Sequence, residues 1–519
     1  MPSSNVTGRI ARASGIVMAG VLLSRLLGFF RDWAVAHQIG SNSVTDTYYT
    51  AFTLPDFLNY LVAAGALSVT FIPVFSHYLA EKQEDEGWYA FSTVVTVMGL
   101  TLVGLVVVGE LFARHLVGAI APGFAPQAKA RAVFLTRLML PAQIFFYLGS
   151  ILTAVQYAKG QFVIPSLAGV VYNLGVILGG VLLSSRIGIT GFAVGVLGGA
   201  LSGNLLLQIY GAHLAGARFR PNLDIRHPGF RWFIKLSIPI MLALSLSATD
   251  DWIIRWFGSY LVPASITWLT LAKTLMRVPL GVVGMSVGVG SFPFMAQLYA
   301  EGKLDELSRT LNATLKGLLL LLVPISALTI AQSTPLVYFV FSRTRLHGPD
   351  LEATAATLRV FSISMFAWAL QNILARAFYA ARDTITPAVV GTGLTFLSLP
   401  VYWWMVRHFQ HLGLAFASSL GIIAYTVILF VLLNRHIRNR EARALLIFLL
   451  KIGAVSALAG VACFKLNNWL GSLLGWQTTH QALLVLVIVS SAGLALMALL
   501  AKLLRIKEFE DYLQRPGAR

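Results

Sequence analysis

The segment Tyr157-Ala158-Lys159-Gly160-Gln161-Phe162-Val163-Ile164-Pro165 returns about 222 residues later as Tyr379-Ala380-Ala381-Arg382-Asp383-Thr384-Ile385-Thr386-Pro387. The same shift carries Gly191-Phe192-Ala193 onto Gly413-Leu414-Ala415. A nearly equal one carries Pro73 onto Pro293, Ala80-Glu81 onto Ala300-Glu301 and Asp85-Glu86 onto Asp305-Glu306. One such match is chance; an ordered series of them argues for an internal duplication. The expected organisation is an N-terminal six-helix lobe over residues 1–215, a second six-helix lobe over 216–440, and two further spans with a cytoplasmic tail over 441–519. An even number of spans per lobe makes the copies parallel, related by a pseudo-twofold axis along the membrane normal, and transporters of this design hold their substrate in the cleft between copies.

The membrane reading rests on composition. Of 519 residues, 57% are hydrophobic and 12% charged, and the mean hydropathy is +0.75. Apolar runs of spanning length recur about 14 times, which predicts an all-α integral membrane protein with about 14 transmembrane helices. The second run (44–80) and the eighth (266–299) are long enough to bend, with Pro55, Pro73, Pro279 and Pro293 as the expected places. Arginine and lysine concentrate in alternate loops, among them Arg218, Arg220, Arg226, Lys303, Arg309, Arg435 and Arg443, so both termini are expected in the cytoplasm. The formal charge of +18 flanks helices and has no soluble domain to carry it; attraction to anionic membrane lipids, not to nucleic acid, is the reading. Residues 1–12 are short and polar with no cleavage signature, so the first span is expected to stay. Cys463 is the single cysteine, which leaves no disulfide framework and no thiol-ligated metal site.

Charge inside the apolar runs marks the candidate site. An arginine at membrane depth costs roughly 2.5 to 3.5 kcal/mol on insertion scales, so it persists facing protein or water. Arg25 and Arg31 lie in the first run, Arg255 in the seventh, Lys273 and Arg277 in the eighth; Asp32, Asp46, Asp56, Asp250 and Asp251 are the acids. On a helix Arg25, Gly28 and Asp32 share one stripe and Arg31 points about 120° away. Asp251 and Arg255 stand four apart and can neutralise each other. Lys273 and Arg277, also four apart, repel, and need an anion, either an aspartate or a ligand. A diphosphate suits them, because guanidinium forks match phosphate oxygens. Asp250, Asp251 and Asp383 are the candidates for cation coupling.

Catalytic signatures are missing from the sequence. It contains no Walker-type phosphate loop, no His-Glu-x-x-His and no credible nucleophile elbow, and its histidines scatter near helix ends. Neither an enzyme activity nor a cofactor or metal is expected. The glycine-rich stretches 195–199 and 284–288 read as close helix packing or as flexibility for rocking.

The motifs Ser24-Arg25-Leu26-Leu27-Gly28-Phe29-Phe30-Arg31-Asp32, Thr45-Asp46-Thr47-Tyr48-Tyr49, Ala51-Phe52-Thr53-Leu54-Pro55 and Gly65-Ala66-Leu67-Ser68 with Phe71-Ile72-Pro73 resemble the opening of the MurJ (MviN) lipid II flippases. That family belongs to the multidrug/oligosaccharidyl-lipid/polysaccharide exporter superfamily. Pro122-Gly123-Phe124 and Asp383-Thr384-x-Thr386-Pro387 extend the likeness over nearly the whole chain, including the two appended spans. The resemblance implies a flippase in the bacterial inner membrane that moves a polyprenyl diphosphate-linked saccharide, with cell-wall synthesis proteins as candidate partners; the alternative is a non-transporting scaffold of an envelope-synthesis complex whose charges only hold the bundle together. It also implies that Arg25, Arg31 and Asp46 are functional positions. Three departures stand out. Asn59 occupies an arginine position of the family, with Asp56 in the place of its asparagine; Ala64 replaces a glutamate; and Thr274 occupies the arginine position of the eighth span, between Lys273 and Arg277.

Overall fold

A computed structural model of the chain describes residues 3–59, 66–247, 249–381, 383–437, 439, 441–506 and 508–509. Among them there is no strand. The helices in chain order are α1 (Ser3–Gln38), α2 (Ser43–Ala51), α3 (Thr53–Leu58), α4 (Ala66–Ala80), α5 (Glu84–Ile120), α6 (Pro126–Met139), α7 (Ala142–Ala158), α8 (Val163–Ile187), α9 (Thr190–Gly199), α10 (Leu207–Leu214), α11 (Pro228–Ser247), α12 (Thr249–Gly258), α13 (Ser265–Ala300), α14 (Leu304–Ala331), α15 (Ser333–Phe341), α16 (Gly348–Ile363), α17 (Met365–Ala380), α18 (Ile385–His436), α19 (Ala442–Leu474) and α20 (Thr479–Leu503). A π-helical stretch, Ala200–Leu206, joins α9 to α10.

Nine helices of the described residues are long and apolar enough to cross a membrane, or ten when α16 and α17, bent by 43°, count as one broken span. Two of the expected spans run together in α18, which turns sharply at Gln410 (φ 54, ψ −131). Of the other expected spans, the first lies in α1 and is diluted by Arg25, Arg31 and Asp32; the second and seventh include residues 60–65 and 248, outside those described. The second is divided into α2, α3 and α4, whereas α13 runs without interruption through Pro279 and Pro293. The Ala64 departure lies outside the described residues, as do the side chains of 284–293.

The chain forms two compact units, residues 1–266 and 267–519. In the first, the fully buried rings of Phe71, Phe75, Phe91 and Tyr147 make a core that also takes in Phe230 and Phe233 of α11. Thr70 and Ser237 are hydrogen-bonded at 2.9 Å between α4 and α11. The second copy of the expected repeat begins near residue 216; the first compact unit runs on to residue 266 and takes Phe230 and Phe233 into its core.

Backbones touch along α8 and α9. A Cβ on Gly175 or Gly179 would stand 2.5 Å from the Cα of Gly199 or Gly195, so only glycine permits the approach. The turn that starts this pair has a counterpart in the second unit. Gly188 (φ 57, ψ −139) ends α8, and Gln410, related to it by the repeat shift, has nearly the same angles. Three residues further on, Gly191 and Gly413 allow the returning chain to pass: a Cβ there would lie 3.0 Å from Gly179 O and 2.1 Å from Met405 O.

In the second unit, α19 and α20 pack with α14 through Leu328, Ala331, Cys463, Val485 and Val489. The chain after α20 returns to α14, where Lys316 Nζ donates to Glu508 Oε1 at 2.7 Å beside the Phe448 ring.

Candidate functional site

The rotation of α1 is set by a small polar contact. Asn173 Nδ2 of α8 donates to Ser24 O (3.2 Å) and Ser24 Oγ (3.3 Å), and a Cβ on Gly28 would sit 3.8 Å from Asn173 Oδ1. Arg25, one step round the helix, is therefore turned off α8 and exposed. Among the described residues it makes no hydrogen bond and no ion pair.

The next cations are paired. Arg31 donates from Nε and Nη2 to Asp32 Oδ1 at 3.1 and 3.0 Å, with Asp32 buried beneath it. Tyr48 of α2 and Tyr172 of α8 are its electrostatic neighbours. Arg255 of α12 donates from Nη1 to Thr53 Oγ1 (2.8 Å), and its Nη2 lies 3.6 Å from Asp56 Oδ2. Arg31 and Asp251 also act on Asp56. The first unit thus gathers Arg31, Arg255, Asp32, Asp56 and Asp251 into one polar seam, with Arg25 further along α1. Asp56 is one of the acids that the sequence marks, standing in place of the family's asparagine beside Pro55, whereas nothing in the sequence points to Thr53.

Asp46 has a backbone task. Its Oδ2 accepts the Ala264 N–H at 2.7 Å, and Ala264 is held in the left-handed region (φ 80) just before α13. Asp250 lies with Asp251 in the first turn of α12. In the second unit, Lys273 is buried with its ammonium 5.3 Å from the Trp368 ring, while Arg277 is exposed, so the two like charges occupy different environments. Asp383 Oδ1 accepts from Ile385 N (3.1 Å) and Thr386 N (2.9 Å), capping α18. Burial raises its carboxyl pKa, but the hydrogen bonds from Thr386 and Ile385 outweigh this and hold it below the ordinary carboxylate range.

The first unit therefore offers the unengaged guanidinium of Arg25 as an anion-binding fork, beside two ion pairs and the carboxylate of Asp251. A family model described as Lipid II flippase MurJ matches residues 35–500. The Lipid II flippase MurJ of Burkholderia cenocepacia is 27% identical over 501 residues, covering 94% of this chain and 95% of that protein. The Probable lipid II flippase MurJ of Thermotoga maritima is 26% identical over 498 residues, covering 96% and 97%. Among solved structures, a lipid II flippase MurJ in an inward closed conformation superposes with a TM-score of 0.76 at 20% identity, over 94% of this chain and 99% of that one. An inward-facing multidrug resistance MATE transporter of the MOP superfamily gives 0.64 at 13% identity, over 80% and 94%. The structural likenesses show the fold, and the match across most of the sequence shows the family: this multi-pass membrane protein belongs to the MurJ family.

Proposed function

We propose that the protein is a flippase for lipid II, the polyprenyl diphosphate-linked peptidoglycan precursor, moving it from the inner to the outer leaflet of the bacterial plasma membrane. It performs no bond-making step. Both termini lie in the cytoplasm, as the distribution of basic loops indicates. The two halves of the duplication alternate access to the substrate, the mode expected of paired parallel repeats. The observation that carries the reading is Arg25, exposed and unengaged in α1 while Arg31 and Arg255 are held by Asp32 and Asp56. A guanidinium in that state receives a diphosphate through two parallel hydrogen bonds, and the neighbouring pairs keep the surrounding field from repelling a second substrate group. Arg31 and Arg255 act in the first unit by holding Asp32 and Asp56, Asp46 supports Ala264, Lys273 and Arg277 are the candidate substrate cations of the second unit, and Asp250, Asp251 and Asp383 are the acids available for coupling to a cation.

Complementation of cells depleted of their own flippase tests this. Wild type restores growth; Arg25→Ala loses transport at least tenfold with normal membrane insertion, and Arg25→Lys recovers part. Normal transport by Arg25→Ala overturns the site. Asn59 and Thr274, where the family carries cations, favour a second reading in which another lipid-linked saccharide is moved. Failure of the wild type to rescue, with diphosphate lipid binding intact, selects that one.

A further inference from the structure

Arg359 lies in α16, at the side of the second unit covered by α19. Its Nε donates to Ser333 Oγ at 3.2 Å, and its guanidinium stands 5.7 Å from the Phe464 ring centre. Among the described residues it has no carboxylate partner. The residue that could have supplied one is Gln332, whose amide instead donates to Ser490 Oγ at 3.0 Å. The repeat shift places Arg137 of α6 at the matching position, and there the arginine keeps its acid: Arg137 Nε lies 3.9 Å from Glu110 Oε2 and donates to Glu110 O at 3.1 Å. The second copy carries the cation without the anion.

Depth identifies what replaces it. With 33 residues, α19 is about 50 Å long, against a hydrocarbon core of roughly 30 Å, so about 10 Å of helix extends beyond the core at each end when it is centred. Phe464 is ten residues from the Leu474 end, about 15 Å along the axis. For α19 centred and upright, the guanidinium beside Phe464 lies about 5 Å inside the core boundary, within snorkelling reach of lipid phosphates. Arginine's planar fork matches a phosphate oxyanion, the Ser333 hydroxyl orients that fork, and the Phe464 face stabilises the cation from the other side.

We propose that Arg359, Ser333 and Phe464 form a binding site for the phosphate oxyanion of a membrane lipid, built from other residues than the polar seam of the first unit. The phosphate can come from a bulk phospholipid or from a polyprenyl phosphate, and the test distinguishes them. The purified full chain is titrated by native mass spectrometry with phosphatidylglycerol, undecaprenyl phosphate and, as a phosphate-free control, monogalactosyl diacylglycerol, with melting temperature measured in parallel. Arg359→Gln is expected to lose one phosphate-lipid binding event, with affinity at least tenfold weaker and the glycolipid unaffected; Arg359→Lys keeps part. Arg137→Gln, whose arginine already has its carboxylate, leaves lipid binding unchanged. Ser333→Asp supplies an internal partner and should displace the lipid phosphate. Loss with both phosphate lipids assigns the site to headgroups in general, and loss with the polyprenyl lipid alone assigns it to that class. Undiminished phosphate-lipid binding by Arg359→Gln, or equal loss of the glycolipid, overturns the proposal. Should Arg359→Gln fail to fold, undiminished binding by a Ser333→Asp protein of normal melting temperature overturns it equally.

Discussion

Arg137 and Arg359 occupy the same place in the two copies of the repeat, yet the first is answered by Glu110 within its own unit and the second leans on Ser333 and Phe464. The neighbouring positions diverge in the same sense. Gln332 stands on Ser490 of α20, and Lys316, where the first copy has Thr96, holds Glu508 after α20. Thr96 merely returns its hydroxyl to Ser92 O within α5. The difference teaches that the second copy has been respecified on the face that carries the appended helices, while its backbone plan has been kept.

The backbone plan is open to the most damaging test. A methyl group at Gly413 would meet the Met405 carbonyl oxygen at 2.1 Å, whereas at Gly191 the nearest atoms lie at 3.0 Å. Gly413→Ala should cost about 3 kcal/mol and Gly191→Ala about 1 kcal/mol, read as loss of detergent-solubilised melting stability; equal effects would mean that the two turns are equally tight. Next, Gln410 adopts a conformation that suits glycine. Gln410→Gly should stabilise the protein by about 1 kcal/mol and Gly188→Gln should destabilise it by a similar amount. A destabilised Gln410→Gly would show that the glutamine side chain contributes more than its backbone strain costs.

Smaller effects bear on the charges. Glu110→Gln removes the carboxylate of a pair that is substantially exposed, so stability should change by under about 1 kcal/mol. The same variant should give the first copy a new phosphate-lipid binding event, and no gain would mean that the aromatic wall at Phe464 is indispensable. The smallest effect concerns the tail. Burial raises the Glu508 carboxyl, but the Lys316 hydrogen bond, a backbone hydrogen bond and the charges of Lys316 and Lys451 outweigh it and leave the carboxyl below its ordinary value. A depressed carboxylate contributes stability above the ordinary carboxylate range that is lost as pH falls through the depressed value. Protection of the amides across residues 500–509, taken relative to their intrinsic exchange rate at each pH, should fall on acidification from about pH 7 to about 3. Glu508→Gln should show the lower protection already at about pH 7, with the difference from wild type closing at low pH.

Much of this was legible in the residues themselves. The duplication could be read because Pro, Gly and charged residues at turns resist drift, and Arg25 could be read because hydrocarbon makes any arginine conspicuous. The Arg255–Asp56 contact could not, since periodicity ranks neighbours one turn apart, and Asp251 is the neighbour of Arg255 by that rule. The role of Asp46 was hidden for a related reason: its partner is the amide of Ala264, and a backbone group leaves no signature. Gln410 was invisible because the glycine that marks the first turn at Gly188 has been replaced while the turn itself persists. Lys273 and Arg277 looked alike as charges in a helix, and only packing separates the one under Trp368 from the one left exposed.

The bare contact between α8 and α9 has a mechanical consequence. Two helices that approach so closely at Gly175 and Gly179 that no Cβ fits between them have little room to slide or repack, and behave as one stiff plank. The Asn173 hook fastens α1 to the same plank through Ser24. Any excursion of the first unit must therefore carry Arg25 with α8 and α9 as a lever arm carries its tip, and compliance has to come from joints elsewhere, such as the interruption between α2 and α3.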